Sequence, residues 1–160
     1  MDTHAITERE NLRETATWMG GYVKAIGDQD SAPSRSQLRE LKERINSLGA
    51  SCKAAAPNVR RICEHYQEKH PERLQWLLVG TSKIVTHLRG LAEPPQFRTL
   101  FPEFWTDDFQ RTLEDTLELF AEEQETLALE LSAGFYDEIE DARKEACVDT
   151  ASGKRRMPTD

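Results

Sequence analysis

Apolar residues recur along this chain at intervals of three and four, the spacing of one face of an α-helix. Leu12, Ala16, Met19, Val23 and Ile26 trace the first such face. Ahead of it, Thr7 and Glu10 have the T-x-x-E form in which a hydroxyl and a carboxylate satisfy free backbone N–H groups reciprocally, so a helix is expected to start there. Gly20-Gly21 weakens its middle, and the polar run 27–33 reads as a loop. Ser34-x-x-Gln37 is placed to cap a second helix, whose apolar positions are Leu38, Leu41, Ile45, Leu48, Cys52 and Ala55, alternating steps of three and four. Gly49 is an early stop for it and Pro57 a late one. Pro57 also suits the first turn of a third helix, with Val59, Ile62, Cys63 and Tyr66 on one side. After Pro71 the pattern is at its clearest in Leu74, Leu77, Leu78, Ile84, Val85 and Leu88, with Gly90 as the expected C-terminal stop.

Residues 91–105 interrupt the periodicity. Pro94, Pro95 and Pro102 argue against a regular helix. Phe97, Phe101, Phe104 and Trp105 bring four of the twelve aromatic residues into this short stretch. Such a segment either closes the end of a bundle or offers aromatic anchors to a partner.

The helical pattern resumes with Thr106 or Asp107 as N-cap and acids in the first turn, where the helix dipole favours them. Its apolar face reads Phe109, Leu113, Leu117, Phe120, Leu127, Leu131, Phe135, Ile139 and Ala142, with Gln124 the one polar interruption. On a straight rod Asp108, Asp115, Glu118, Glu122, Glu130, Asp137 and Glu140 fall on the opposite side. Leu119, Leu129 and Tyr136 fall among those acids. A break at Gly134 would let the two halves rotate independently.

These elements predict an all-α fold: an antiparallel helical bundle of about five helices with one long acidic C-terminal helix. Residues 1–149 are read as one helical-bundle domain and 150–160, with Lys154-Arg155-Arg156, as a flexible basic tail. No alternating strand pattern or internal repeat competes with this reading.

Charge sharpens the picture of the last helix. Residues 107–149 hold fifteen acids and three bases, a net −12 against −8 for the whole chain, so the remainder is net basic. At 160 residues the chain is long enough to bury a substantial core. Its three cysteines, Cys52, Cys63 and Cys147, are odd in number and form no C-x-x-C pair, which points to a reducing compartment. The N-terminal residues lack the basic and apolar regions of a signal peptide, and the longest apolar run, Trp76 to Val79, is far too short for a bilayer. A cytoplasmic location without membrane association is expected.

Catalytic patterns are sparse. Glu122-x-x-Glu125 and Glu138-x-x-Asp141 together resemble the ExxE…ExxD motif of the all-α MazG-like nucleotide pyrophosphohydrolases. The resemblance covers about twenty residues, and it implies carboxylates on two helices holding Mg²⁺. On one straight helix Glu122 and Glu138 are about 24 Å apart along the axis, whereas Mg²⁺ binds oxygens at about 2.1 Å. The motif therefore needs the chain to fold back at Ser132-Ala133-Gly134. Cys63, His65 and His70 are close in sequence, but on a helix Cys63 and His65 diverge by about 200°. No H-E-x-x-H and no phosphate-binding glycine loop is present. No catalytic residue, metal ligand or cofactor is expected.

Residues 35–98 carry twelve bases against six acids. Arg35, Arg39 and Lys42 share a helix side, and Arg60-Arg61 adds a pair, which suits phosphate contact in a nucleic-acid-binding subunit. Glu40, Glu43, Glu64 and Glu68 are interleaved at spacings that instead suit local ion pairs. The reverse reading is an acidic nucleic-acid mimic, its charge interrupted by Leu119, Leu129 and Tyr136. The main expectation is a non-enzymatic protein-interaction module, whether adaptor, inhibitor or assembly subunit. Its contact surface is the acidic helix, through Leu119, Glu122, Leu129, Tyr136, Asp137 and Glu140, joined by Phe101 and Trp105 from the aromatic segment. A protein partner is expected, with self-association through the same helix as an alternative.

Overall fold

The computed structural model describes the backbone of residues 3–151 and the side chains of 3–95, 97–134, 142 and 143. Six α-helices follow one another: α1 (Thr3–Asp28), α2 (Arg35–Ala55), α3 (Val59–Lys69), α4 (Leu74–Ala92), α5 (Gln96–Leu100) and α6 (Asp107–Ala151). No strand occurs among the described residues. The all-α bundle is thus observed.

Proline and capping chemistry set the corners. Ser34 accepts from the Gln37 backbone N–H at 3.1 Å, and the Gln37 side chain accepts from the Ser34 N–H at 2.9 Å, closing a capping box at the start of α2. Pro57 lacks the N–H that a continuing helix would use, and Ala56–Asn58 tightens into a 3₁₀ turn that joins α2 to α3. Pro71 opens a second such turn before α4.

Packing contacts place α1 against α2 and α4, and α6 against α4, α2 and α3. The order around the bundle is therefore α1, α2, α6, α4, with α3 prolonging the run of α2. One end of the bundle gathers Ala5 of α1, Ile62 and Tyr66 of α3, Leu74 of α4 and Leu127 of α6. The other gathers Ile26, Leu91, Phe97, Trp105 and Phe109. The chain thus runs up, down, up and down, the topology that short connections favour.

The apolar positions of α1 to α4 take the core places that their spacing predicts, Leu38 and Leu78 only in part. Several boundaries differ. Thr7 lies inside α1 and donates to the Thr3 carbonyl at 3.0 Å, so Thr7-x-x-Glu10 is not the cap. Neither Gly20-Gly21 nor Gly49 interrupts its helix, and α4 passes Gly90 to reach Ala92. At Gly49 an added Cβ would meet the Phe109 ring at 3.6 Å, an ordinary van der Waals contact, and the helix runs straight through this glycine. The proline-rich segment holds one short helix, α5, where none was expected.

Phe97, Phe101 and Trp105 are buried and close one end of the bundle. Trp105 packs edge-on against Phe109, its indole N–H donates to Gln110 Oε1 at 2.8 Å, and Gln110 donates onward to the Ala92 carbonyl at 2.7 Å. Thr106 caps α6 by accepting from the Phe109 N–H at 3.1 Å.

Helix α6 is unbroken through Gly134. Among its described side chains the core contacts run from Phe109 to Leu131, and Ser132, Ala133, Gly134, Ala142 and Arg143 are exposed. Ala142 is therefore not a core residue, and Phe135 and Ile139 have side chains outside the described ones. At about 1.5 Å per residue, 132–151 extend the rod by about 30 Å past Leu131.

Candidate functional site

A polar cluster crosses the middle of the bundle. Arg9 and Glu123 are 4% and 5% exposed. The Arg9 guanidinium donates to both carboxylate oxygens, at 3.2 Å to Oε1 and 2.6 Å to Oε2. It also donates to the Thr81 hydroxyl. Thr81 Oγ1 lies 2.6 Å from Glu123 Oε2 and 2.8 Å from the Leu77 carbonyl oxygen. A hydroxyl has one proton, and the charged carboxylate is the stronger acceptor. The guanidinium carbon sits 5.1 Å from the centroid of the Phe120 ring, a cation–π distance. One side chain each from α1, α4 and α6 is thereby tied into a single network.

Sequence reasoning missed this network, although its signal was present. Arg9 falls four residues after Ala5 and three before Leu12, inside the buried row of α1. Glu123 falls three after Phe120 and four before Leu127, inside the buried row of α6. The strict segregation of acids from the α6 core is corrected by Glu123. Asp108, Asp115, Glu118, Glu122 and Glu130 are exposed, as the wheel predicts. Gln110, Thr116 and Glu123 are buried because α4 on one side and α2 with α3 on the other cover a wide sector of α6.

The expected contact residues divide. Leu129 is 65% exposed and Glu122 is exposed. Leu119 is partly buried against the core and lines a groove of about 260 Å³ between α3 and α6, so it is no free-standing anchor. Phe101 and Trp105 are removed as anchors: at 4% and 3% exposure they fill the bundle end, where a partner has no access to them. Tyr136, Asp137 and Glu140 lie on the extension of α6, and their side chains are outside the described ones. Trp76, Val79 and Leu100 are exposed apolar residues that the sequence reading did not select.

The unbroken α6 rules out the fold-back that the pyrophosphohydrolase motif requires. Glu122 and Glu125 are exposed on the rod, and Glu138 and Asp141 have side chains outside the described ones. Among the described residues no three His, Cys, Asp or Glu side chains gather as metal ligands do. Burial pushes the Cys63 thiol up to about 11, with the Glu123 carboxylate adding to the effect. Burial likewise raises Cys52 to about 11, against a smaller opposing effect of its hydrogen bond with Thr116. Both are protonated and poorly nucleophilic near neutrality. Desolvation lowers the His65 pKa, helped by His70 and Lys69 nearby, and His65 Nε2 is buried without a hydrogen-bond partner.

The cations of the nucleic-acid reading are exposed but dispersed. Arg35 and Arg39 lie near the start of α2, Lys42 one turn on, and Arg60 and Arg61 on α3. The first and last are separated by roughly 35–40 Å of helical rise. Lys42 lines a groove beside Glu103 and Asp108, and Arg61 donates to Asn58 Oδ1 at 2.8 Å. They do not converge on one phosphate-sized site.

No protein-family model, curated protein or solved structure matches this chain. No helix among the described residues is long and apolar enough to cross a membrane.

Proposed function

We propose that this chain is a non-enzymatic protein-interaction module that docks its partner on the outer face and extension of α6. The observation that supports this most directly is the exposure of Leu129 at 65% on a helix that continues about thirteen turns in all at 3.6 residues per turn, well past Leu131, the last of its described side chains to touch the core. A charged rod with an exposed large apolar side chain on its outer face gives a partner both an anchor and a means of orientation. Glu122 and Glu130 flank Leu129 on that face, and Tyr136, Asp137 and Glu140 continue it in sequence.

The test compares quantitative pull-downs from the source cell using the full chain and the Leu129→Asp/Tyr136→Ala variant. The reading expects the variant to keep its melting temperature and lose the co-purifying partner. Equal recovery of the same partner by both proteins would refute it.

A further inference from the structure

The groove between α1 and α4 joins exposed apolar surface to positive charge. Trp76 and Val79 stand one turn apart on α4 and are 53% and 48% exposed. Leu77 and Gly80 lie beside them in a groove of about 290 Å³, with Arg13 of α1 and Lys83 of α4 on its walls. The Trp76 ring meets Tyr66 edge-on at 6.1 Å, so the indole is braced rather than loose. A braced, half-exposed tryptophan is the type of side chain that dominates binding energy at interfaces. Of the groove's charges, Glu10 is engaged by Arg13 at 2.9 Å, and Arg9 is held by Glu123. Lys83 is exposed, and Arg73 adds a further exposed cation three residues before Trp76.

The occupant that fits such a surface is an acidic amphipathic helix, and this chain carries one. Residues 132–151 contain six acids and two bases, and Phe135, Ile139, Ala142 and Ala146 continue the four-three-four spacing of the α6 apolar face. The extension cannot fold back into its own groove, because α6 is unbroken and its described side chains past Leu131 are exposed. It leaves from the end where α1 and α4 begin, which is also the end where Trp76 and Arg13 lie. A second copy facing that end presents its groove to the extension, and a two-fold axis makes the exchange mutual. We infer that the chain forms a reciprocal dimer in which the α6 extension of each copy lies in the α1–α4 groove of the other, over Trp76 and Val79, its net acidic sequence matched to the exposed cations Lys83 and Arg73.

Size supports reciprocity. A helix face about 30 Å long and 10 Å wide covers roughly 300 Å² on each partner. A single such contact is small. Two related by symmetry bury on the order of 1,200 Å², the lower bound of specific interfaces. The dimer is therefore expected to depend on concentration and to weaken with salt. The inference rests on the proposed role of α6 as docking element and names a second copy as one occupant.

Sedimentation velocity on the full chain tests it. The expected result is a shift from 18.3 kDa toward twice that mass as concentration rises at low salt. Reversing the groove (Arg73→Glu with Lys83→Glu) or the extension (Asp137→Lys, Glu138→Lys and Asp141→Lys) should each leave a monomer. Mixing the two variants should restore a dimer, since each then meets its complement. Lys83→Glu alone, at an exposed position, serves if the double groove variant fails to fold. A chain that stays monomeric at every concentration overturns the inference, as does a dimer indifferent to both reversals. Either result leaves the interaction reading to its own test, because loss of a cellular partner by the Leu129→Asp/Tyr136→Ala variant does not require self-association.

Discussion

Arg9 and Glu123, 114 residues apart in sequence, meet inside the bundle through two parallel hydrogen bonds of 3.2 and 2.6 Å. The forked guanidinium matches the carboxylate, Thr81 satisfies a further lone pair, and Phe120 covers the cation. A pair this well satisfied fixes how α1 and α6 align, because sliding either helix by one turn would bury two charges without partners.

Removing one member should therefore be severe and removing both mild. Glu123→Gln leaves Arg9 charged and buried, and a loss of about 3–5 kcal/mol is expected. Arg9→Met combined with Glu123→Leu replaces the pair by apolar groups of similar size and should recover most of that loss. Urea denaturation of the single and double variants measures the difference. A single variant as stable as the parent would mean that the pair is solvated in solution.

Helix α6 offers a second contrast two residues apart. Leu127 is fully buried and Leu129 is exposed. Leu127→Ala should cost about 2–5 kcal/mol through lost burial and a residual cavity. Leu129→Ala should stay within about 0.5 kcal/mol, as surface substitutions do. Equal effects in thermal melts would show that the helix is rotated from the orientation described.

Most of this architecture was legible in the sequence. Leu12, Ala16 and Met19, or Leu41, Ile45 and Leu48, name their own buried face because periodicity reports burial directly. The Ser34–Gln37 box was legible for the same local reason. What escaped was polar burial. Arg9 and Glu123 occupy core positions in their rows, yet a charged residue is read as exposed until its partner is known, and that partner is set by tertiary contact. Glycines misled in the opposite direction: Gly49 and Gly90 carry stop signals, but packing along the bundle outweighs a propensity cost of about 1 kcal/mol each. The fate of Phe101 and Trp105 depended on whether the chain after α4 folded over the bundle end, which no local pattern records. Trp76 and Val79 were hidden within the clearest apolar run of the chain, where only a structure tells the inward side from the outward one.

The aromatic end depends on one amide. Gln110 accepts from the Trp105 indole and donates to the Ala92 carbonyl, joining α6 to the last turn of α4. Gln110→Ala leaves both groups buried without partners, at a cost of about 1–3 kcal/mol for each group stranded. Gln110→Glu keeps the acceptor for Trp105 but loses the donor to Ala92, and it adds a buried charge. Both variants should lower the melting temperature, and Trp105 fluorescence should report the change at this end of the bundle. A melt unchanged by Gln110→Ala would mean that water replaces the amide.

The two buried thiols give the fold an alkaline limit. Cys52 and Cys63 are raised from an ordinary value of 9.0 to about 11, in both cases chiefly by burial. The folded state thus holds these protons more tightly than the unfolded chain. Their contribution to stability is fully present below pH 9 and is lost as the pH rises through about 11. Stability measured by denaturant across that window should fall with pH, and Cys63→Ala should fall less steeply than the parent. The same shift keeps Cys63 a thiol near neutrality, so its alkylation by iodoacetamide should be slow at pH 7 and accelerate toward the alkaline side. Labelling at pH 7 as fast as that of an unfolded control would show that the α3–α6 groove opens to solvent, and the slope difference in Cys63→Ala would then vanish with it.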